Sequence, residues 1–281
     1  MEERILTEKI IEEFSEYLKS EEKSKNTVEK YLRDARAFAL YQNGAAVTKE
    51  TVIAYKGRLL SQNYAARSVN SMLASLNSLF LFLNWLDCRV KFIKFQRQIY
   101  CPEERELTKA EYMRLVNAAK GKGNERLNLL IQTICGTGIR VSELQYITVE
   151  AAECGKAVVS LKGKTRTVFI IKELRQKLLR YIKSQKIRAG AIFITRSGKP
   201  MSRTNIWREM KGLCKQAGVN PEKVFPHNLR HLFARTFYGI QKDIAKLTDI
   251  LGHSSINTTR VYIIATGDEH RKQLENMRLI I

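Results

Sequence analysis

The strongest constraint on the fold is a change in periodicity along the chain. Up to about residue 86 the apolar side chains recur every three to four positions, the spacing that places them on one face of a helix, whereas β-rich runs are read only beyond residue 156. Leu6, Ile10, Phe14, Tyr17 and Leu18 form a first stripe, and Val28, Tyr31, Leu32, Ala35 and Phe38 a second, after Asn26 as cap and before a loop at Gly44. Thr48 opens a third helix with Val52, Tyr55 and Leu59, and residues 66–86 make a fourth with Val69, Met72, Leu73, Leu76, Phe80 and Leu83. Four amphipathic helices predict a small bundle. The expected class is therefore mainly α, an N-terminal helical bundle followed by a C-terminal mixed α+β domain with a small antiparallel sheet.

Charge says what such a chain meets. The formal net charge is +21 with a pI near 9.9, which points to a polyanion and first of all to nucleic acid. The excess is uneven: residues 1–105 hold 17 Lys+Arg against 14 Asp+Glu, leaving 32 against 14 for residues 106–281. Residues 1–22 carry three basic and eight acidic side chains, so the first helix is not expected to lie on DNA. No apolar run approaches the roughly 18 residues of a membrane span, and the acidic amphipathic N-terminus is unlike a signal peptide. A cytoplasmic, nucleoid-associated protein with no membrane partner is expected. The five cysteines, Cys88, Cys101, Cys135, Cys154 and Cys214, are scattered with no C-x-x-C pair, which predicts free thiols and no zinc site or disulfide framework.

The opposite side of the fourth helix is short and polar. Arg67, Ser68, Asn70, Ser71, Asn77 and Ser78 carry no negative charge and can donate to a phosphate backbone without repelling it. A solvated helix surface would read the same way. Periodicity breaks between Asp87 and Glu106, where Arg89, Lys91, Lys94 and Arg97 precede Pro102. These features divide the chain into a DNA-binding bundle over 1–100, a linker over 101–106 and a larger domain over 107–281.

The larger domain opens on Thr108-Lys109-Ala110-Glu111, a capping-box pattern, and continues through a helix with Leu127, Leu130, Ile131 and Ile134. Gly136-Thr137-Gly138 interrupts it just before Arg140, a place where backbone can approach an anion, with Glu143 three residues on to orient the guanidinium. Read alone, an arginine such as Arg140 is more often a surface ion-pair partner. Residues 157–161 and 167–171 predict a hairpin with Lys162, Lys164 and Arg166 at its tip, and 191–195 a further strand. A basic helix after Ser202 carries Arg203 and Arg208, placed to enter a major groove or to cover the surface.

The chemistry concentrates at the far end. Pro226 favours a helix start that sets His227 and Arg230 on one face, a helix over 242–251 closes at Gly252, and His253 precedes a further helix bearing Tyr262. An arginine and two histidines can surround one phosphate diester with donors, and a tyrosine can attack it.

Four segments, Thr137-Gly138-Ile139-Arg140-Val141-Ser142-Glu143-Leu144, His227-Asn228-Leu229-Arg230-His231, Leu251-Gly252-His253-Ser254-Ser255 and Thr259-Arg260-Val261-Tyr262, resemble the tyrosine recombinase (phage integrase) family in their order and spacing. The resemblance covers essentially the whole chain. It implies an N-terminal SAM-like core-binding domain and a catalytic domain that together encircle a duplex. It also implies roles: Arg140 and Arg230 bracket the scissile phosphate, His253 donates to it, His227 takes the tyrosine proton, Lys164 protonates the leaving 5′ oxygen and Tyr262 becomes joined to the 3′ phosphate. Glu143 and His231 would support the pocket. No metal, ATP or other cofactor is implied. The hairpin departs from the family's Gly-Lys-Gly-Asn-Lys-x-Arg form by being shorter, so Lys162 stands as the alternative to Lys164. The expected partners are double-stranded DNA with paired recombination sites and three further copies of the chain, in a tetramer joined by exchange of the C-terminal tail. Two other readings of the same residues are a type IB topoisomerase and a DNA-binding protein with a decayed site.

Overall fold

The computed structural model describes residues 4–94, 105–161, 164–263 and 275–277, without the side chains of residues 161 and 164. The chain divides into two compact units, 1–97 and 98–281, each taken here by itself. The expected linker over 101–106 and the C-terminal tail fall largely outside the described residues. No described helix is long and apolar enough to cross a membrane.

The first unit holds α1 (Glu8–Ser20), α2 (Lys25–Gln42), α3 (Lys49–Ser61) and α4 (Ala66–Phe82), followed by a short turn of helix over Leu86–Cys88. Its core is built from the expected stripes: Phe14, Leu18, Phe38, Val52, Leu73, Leu76 and Phe80 are all buried. Thr48 caps α3 through the Thr51 N–H, as its position predicts. The core also contains one buried charge. Asp34 takes Lys30 at 2.8 Å and the Ser75 hydroxyl at 2.9 Å, so the carboxylate is fully engaged inside the bundle.

One expectation needs correction on this unit. Asn70, read as part of a phosphate-facing side, instead brackets the backbone of Ile93: its amide donates to the carbonyl at 2.9 Å and its oxygen accepts the N–H at 2.8 Å. Asn77 does the same for Val90, both bonds being 3.0 Å. The match is one of lengths. Seven helical residues rise about 10.5 Å, and three extended residues span about 10 Å, so the two amides meet every third residue of the segment leaving the bundle. Arg67, Ser68 and Ser71 remain exposed on α4.

The second unit contains α5 (Lys109–Gly121), α6 (Glu125–Thr137), a short helical turn over Val141–Tyr146, α7 (Val149–Cys154), β1 (Lys156–Leu161), β2 (Lys164–Phe169), α8 (Lys172–Ser184), α9 (Arg203–Lys211), α10 (Cys214–Ala217), a turn over Pro221–Lys223, α11 (Pro226–Gln241), α12 (Ile244–Leu251) and α13 (Ile256–Arg260). The capping box at α5 forms as read, with Glu111 N–H on Thr108 Oγ1 and Thr108 N–H on the Glu111 carboxylate. A single core runs through α5, α6, α8 and the inner face of the hairpin, including Leu115, Leu130, Ile134, Val159, Val168 and Leu178.

The sheet differs from expectation in two places. The hairpin is antiparallel, but β2 begins at Lys164, paired with Leu161, so Lys164, Thr165 and Arg166 belong to the strand and not to a tip. Alternation explains it: Val168 is buried and Arg166 is on the same strand face, while Thr165, Thr167 and Phe169 are exposed. Residues 191–195 make only isolated bridges, Thr148 with Ala191 and Ile194 with Pro200, and no continuous strand. Ile192 and Phe193 are buried there because single backbone bonds to Ile147 and Met201 hold them down.

Candidate active site

The site is assembled on the C-terminal end of α12. A helix leaves its last carbonyls without intrahelical partners and concentrates negative partial charge there. Gly252 closes α12 in the left-handed region at φ 61°, and three successive carbonyls are each met by an arginine from a different element. Arg166 of β2 donates to Ile250 O at 2.6 Å, Arg230 of α11 to Leu251 O at 2.7 Å, and Arg140 to Gly252 O at 3.1 Å. Three like charges are thus gathered at one helix end. A Cβ on Gly252 would lie 2.2 Å from Arg166 Cδ, so only glycine lets that arginine pass.

Glu143 supplies the compensating charge. It is 2 % exposed and lies between Arg140 Nη1 at 2.8 Å and Arg166 Nη2 at 2.6 Å, while its other contact is the Arg140 N–H at 2.9 Å. Burial alone raises its carboxyl, but the Arg140 N–H and guanidinium and the Arg166 charge outweigh this and hold it below the ordinary carboxylate range. Glu143 is therefore ionised and positions both guanidiniums, as expected for its supporting role next to Arg140. Arg166 was not singled out as a site residue, because an arginine in a basic hairpin reads as one more surface charge. The usable signal was its place four residues after Lys162, on the buried phase of a strand.

Arg230 is the largest fully buried side chain of the described residues, 1 % exposed. Its Nη1 reaches Gly138 O, where α6 ends in a left-handed turn, and its Nη2 lies 2.9 Å from His253 Nε2 as well as on Leu251 O. Its Nε has no acceptor among the described residues. Burial, and then the neighbouring Arg140, brings the guanidinium down to about 10, still charged at neutral pH.

α11 starts at Pro226 and places His227, Arg230 and His231 on one face. Tyr262, 7 % exposed, is seated over that face: its ring stacks on His231 at 4.3 Å and 20°, and meets His227 and His253 at 5.1 Å each. Arg230 Cζ lies 5.7 Å from the centre of the tyrosine ring. Arg140, His227, Arg230, His253, Tyr262, Glu143 and His231 are therefore brought together, in one chain. Lys164 opens the strand that carries Arg166, two residues earlier, and Lys162 lies outside the described residues. Arg203 and Arg208 are exposed on α9, from which the charge of Arg203 acts on His227.

A tyrosine held against one arginine and three histidines, with a second arginine on the neighbouring carbonyl, is a geometry for attack on a phosphodiester, and known proteins decide the matter. Residues 105–268 match the model of the phage integrase family, and residues 11–86 that of the phage integrase N-terminal SAM-like domain. The chain belongs to the phage integrase family. It is 30 % identical to the tyrosine recombinase XerA of Pyrococcus horikoshii, over 99 % of this chain and 96 % of the relative, and 25 % identical to the tyrosine recombinase XerD of Halalkalibacterium halodurans, over 88 % and 90 %. Among solved structures, the Tn1549 transposon integrase in complex with transposon right end DNA matches with a TM-score of 0.75 at 22 % identity, over 95 % of this chain and 98 % of that one. A crystal structure of XerA recombinase matches with a TM-score of 0.56 at 24 % identity, over 98 % and 100 %. Membership makes the chain a tyrosine-type site-specific recombinase, an enzyme that cleaves and rejoins DNA through its tyrosine.

The histidines of this recombinase titrate unusually. Burial, followed by the charges around them, brings His231 and His253 down to about 4, and lowers His227 through burial and the charges of Arg230, Arg203 and Arg140. All three are neutral at pH 7. The unfolded chain binds a proton at each ring below about 6.5, so stability is complete above that pH and falls as pH drops toward 4. Urea unfolding at pH 7.5 and pH 5 is expected to show a loss on the order of 1–2 kcal/mol at the lower pH, discounted because the rings keep some contact with water. An unchanged midpoint would contradict the lowered histidines.

Proposed function

We propose that the gathered residues carry out strand cleavage in the following roles. Tyr262 Oη attacks the scissile phosphorus, the bond from phosphorus to the 5′ oxygen breaks, and the chain becomes joined to the 3′ phosphate. His227, neutral at pH 7, takes the tyrosine proton, and Lys164 gives a proton to the leaving 5′ oxygen. Arg140 and Arg230 bind the non-bridging oxygens, where charge accumulates in the transition state, and His253 adds a donor. His231 supports the tyrosine ring by stacking, and Glu143 holds Arg140 in place. Attack by a 5′ hydroxyl on the phosphotyrosine reverses the steps, and because the bond energy is kept in that ester no nucleotide is consumed.

The observation that carries this reading is the convergence of Arg140 and Arg230 on adjacent carbonyls of α12, with His253 and Tyr262 following directly in the same chain. Around it, the 1–100 bundle serves as the core-binding DNA-binding domain, through Arg67, Ser68 and Ser71, and α9 adds Arg203 and Arg208. The enzyme works on double-stranded DNA with paired recombination sites, as a homotetramer joined by exchange of C-terminal tails over the 107–281 domains, and resides in the cytoplasm on the nucleoid. The net charge of +21 supports the polyanionic partner.

The test uses the full chain with a nicked duplex, selected from a random-sequence pool for binding, whose short 5′ fragment diffuses away after cleavage. Peptide mapping of the trapped complex is expected to place the DNA on Tyr262, through the 3′ phosphate. Attachment at another residue, or through a 5′ phosphate, would overturn the assignment.

A further inference from the structure

His253 has a hydrogen-bond partner on each side of its ring, and together they determine where its proton lies. Arg230 Nη2 has only protons to give, so His253 Nε2, 2.9 Å away, accepts. The neutral ring then carries its proton on Nδ1, which lies 2.9 Å from Thr259 Oγ1. From the other end, Thr248 Oγ1 lies 2.7 Å from the Ile244 carbonyl and 2.8 Å from Thr259 Oγ1. The single Thr248 proton can serve either Ile244 O or Thr259 Oγ1, and with either choice Thr259 keeps a lone pair to accept from Nδ1. The Arg230 end therefore sets the direction. The two threonines are 0 % and 6 % exposed, so water does not compete for these bonds.

That direction is the wrong one for holding an anion, because it turns a bare Nε2 lone pair toward the phosphate position. We propose that Thr259 and Thr248 are positioning residues whose two hydroxyls hold His253 as the Nδ1–H tautomer in the free protein and, by turning together, as the Nε2–H tautomer when a phosphate occupies the site. The inference rests on the reading above that His253 meets the phosphate. When a phosphate oxygen takes over Arg230 Nη2, the reversed chain runs from Thr248 to Thr259 and from Thr259 to His253 Nδ1, which frees Nε2–H to donate. One proton leaves Nδ1 and one arrives at Nε2, both by exchange with water, so the ring stays neutral throughout. The reversal gives up at most the bond from Thr248 to Ile244 O, a carbonyl that the helix already supplies with a backbone donor. A ring held near a pKa of about 4 is in keeping with a change of tautomer and no added charge.

Nitrogen-15 spectra of histidine-labelled full-length protein read the tautomer directly, since a bare ring nitrogen resonates far from a protonated one. With the protein alone, His253 is expected as Nδ1–H; with the selected duplex bound, as Nε2–H. Finding Nε2–H in the free protein, or the same tautomer in both states, would overturn the proposal. Thr259→Val keeps the shape and removes the hydroxyl, and single-turnover cleavage of the bound duplex is expected to slow about tenfold, the scale of one lost hydrogen bond, with unchanged affinity. Thr259→Ser is expected to restore the rate; equal slowing in both variants would assign the effect to the methyl group and sink the relay. The free-protein spectrum does not depend on cleavage, so absence of any adduct in wild type would count against the functional reading and leave the relay standing on its own measurement.

Discussion

Replacing Tyr262 with phenylalanine is expected to abolish covalent attachment to DNA while leaving the fold and the affinity for the site nearly unchanged. The ring is retained by its surroundings: His231 stacks on it, His227 and His253 meet it from two further directions, and the buried Thr259 carbonyl receives its backbone N–H at 2.9 Å. The hydroxyl makes no hydrogen bond with any described residue, so its removal strands no buried partner and is expected to cost less than about 1 kcal/mol. Chemistry has no substitute for it. A phenyl ring has no lone pair to attack phosphorus. Binding through phosphate contacts spread over the basic surface is expected, so the apparent affinity should stay within about twofold at fixed salt. Gel-shift binding, thermal melting and adduct formation on the nicked duplex separate these effects; a covalent complex in the phenylalanine variant would place the nucleophile elsewhere.

Much of this site was legible because its signals are local. A glycine after a helical period marks a C-cap wherever it falls, which made Gly252 and the turn to His253 readable, and Thr108 with Glu111 declared the start of α5 for the same reason. Pro226 likewise announced the helix that aligns His227, Arg230 and His231. What the residues alone left hidden depends on partners distant in the chain. Asn70 and Asn77 look the same whether they face a phosphate or a peptide, and the backbone they hold lies 23 and 13 residues away. Arg166 is 84 residues from the carbonyl it meets, and 23 from Glu143. The one clue was general: a helix that ends at glycine exposes carbonyls that require donors, and a chain rich in arginine has donors to send. Which arginines arrive is settled by the tertiary fold.

In the proposed mechanism Arg230 binds a non-bridging oxygen, and Arg230→Lys is expected to lower the cleavage rate by a factor of about 100 to 1000. The guanidinium serves Gly138 O with one terminal nitrogen and both Leu251 O and His253 Nε2 with the other. An ammonium is a single point and cannot cover both ends of that fork while still facing a phosphate oxygen. Charge retention does not rescue it either. The setting that brings arginine down to about 10 combines burial with the positive charge of Arg140, and a lysine starts about two pH units lower before the same penalties act. Its ammonium is thereby driven toward neutrality, and loses its charge as pH rises. The residual activity of the variant should therefore decline from pH 6.5 to 8.5 relative to wild type measured on the same duplex, since arginine stays protonated across that range. Near-normal cleavage by the lysine variant, or a ratio of rates that does not change with pH, would mean that the fork geometry and the buried charge of Arg230 are not what stabilises the transition state.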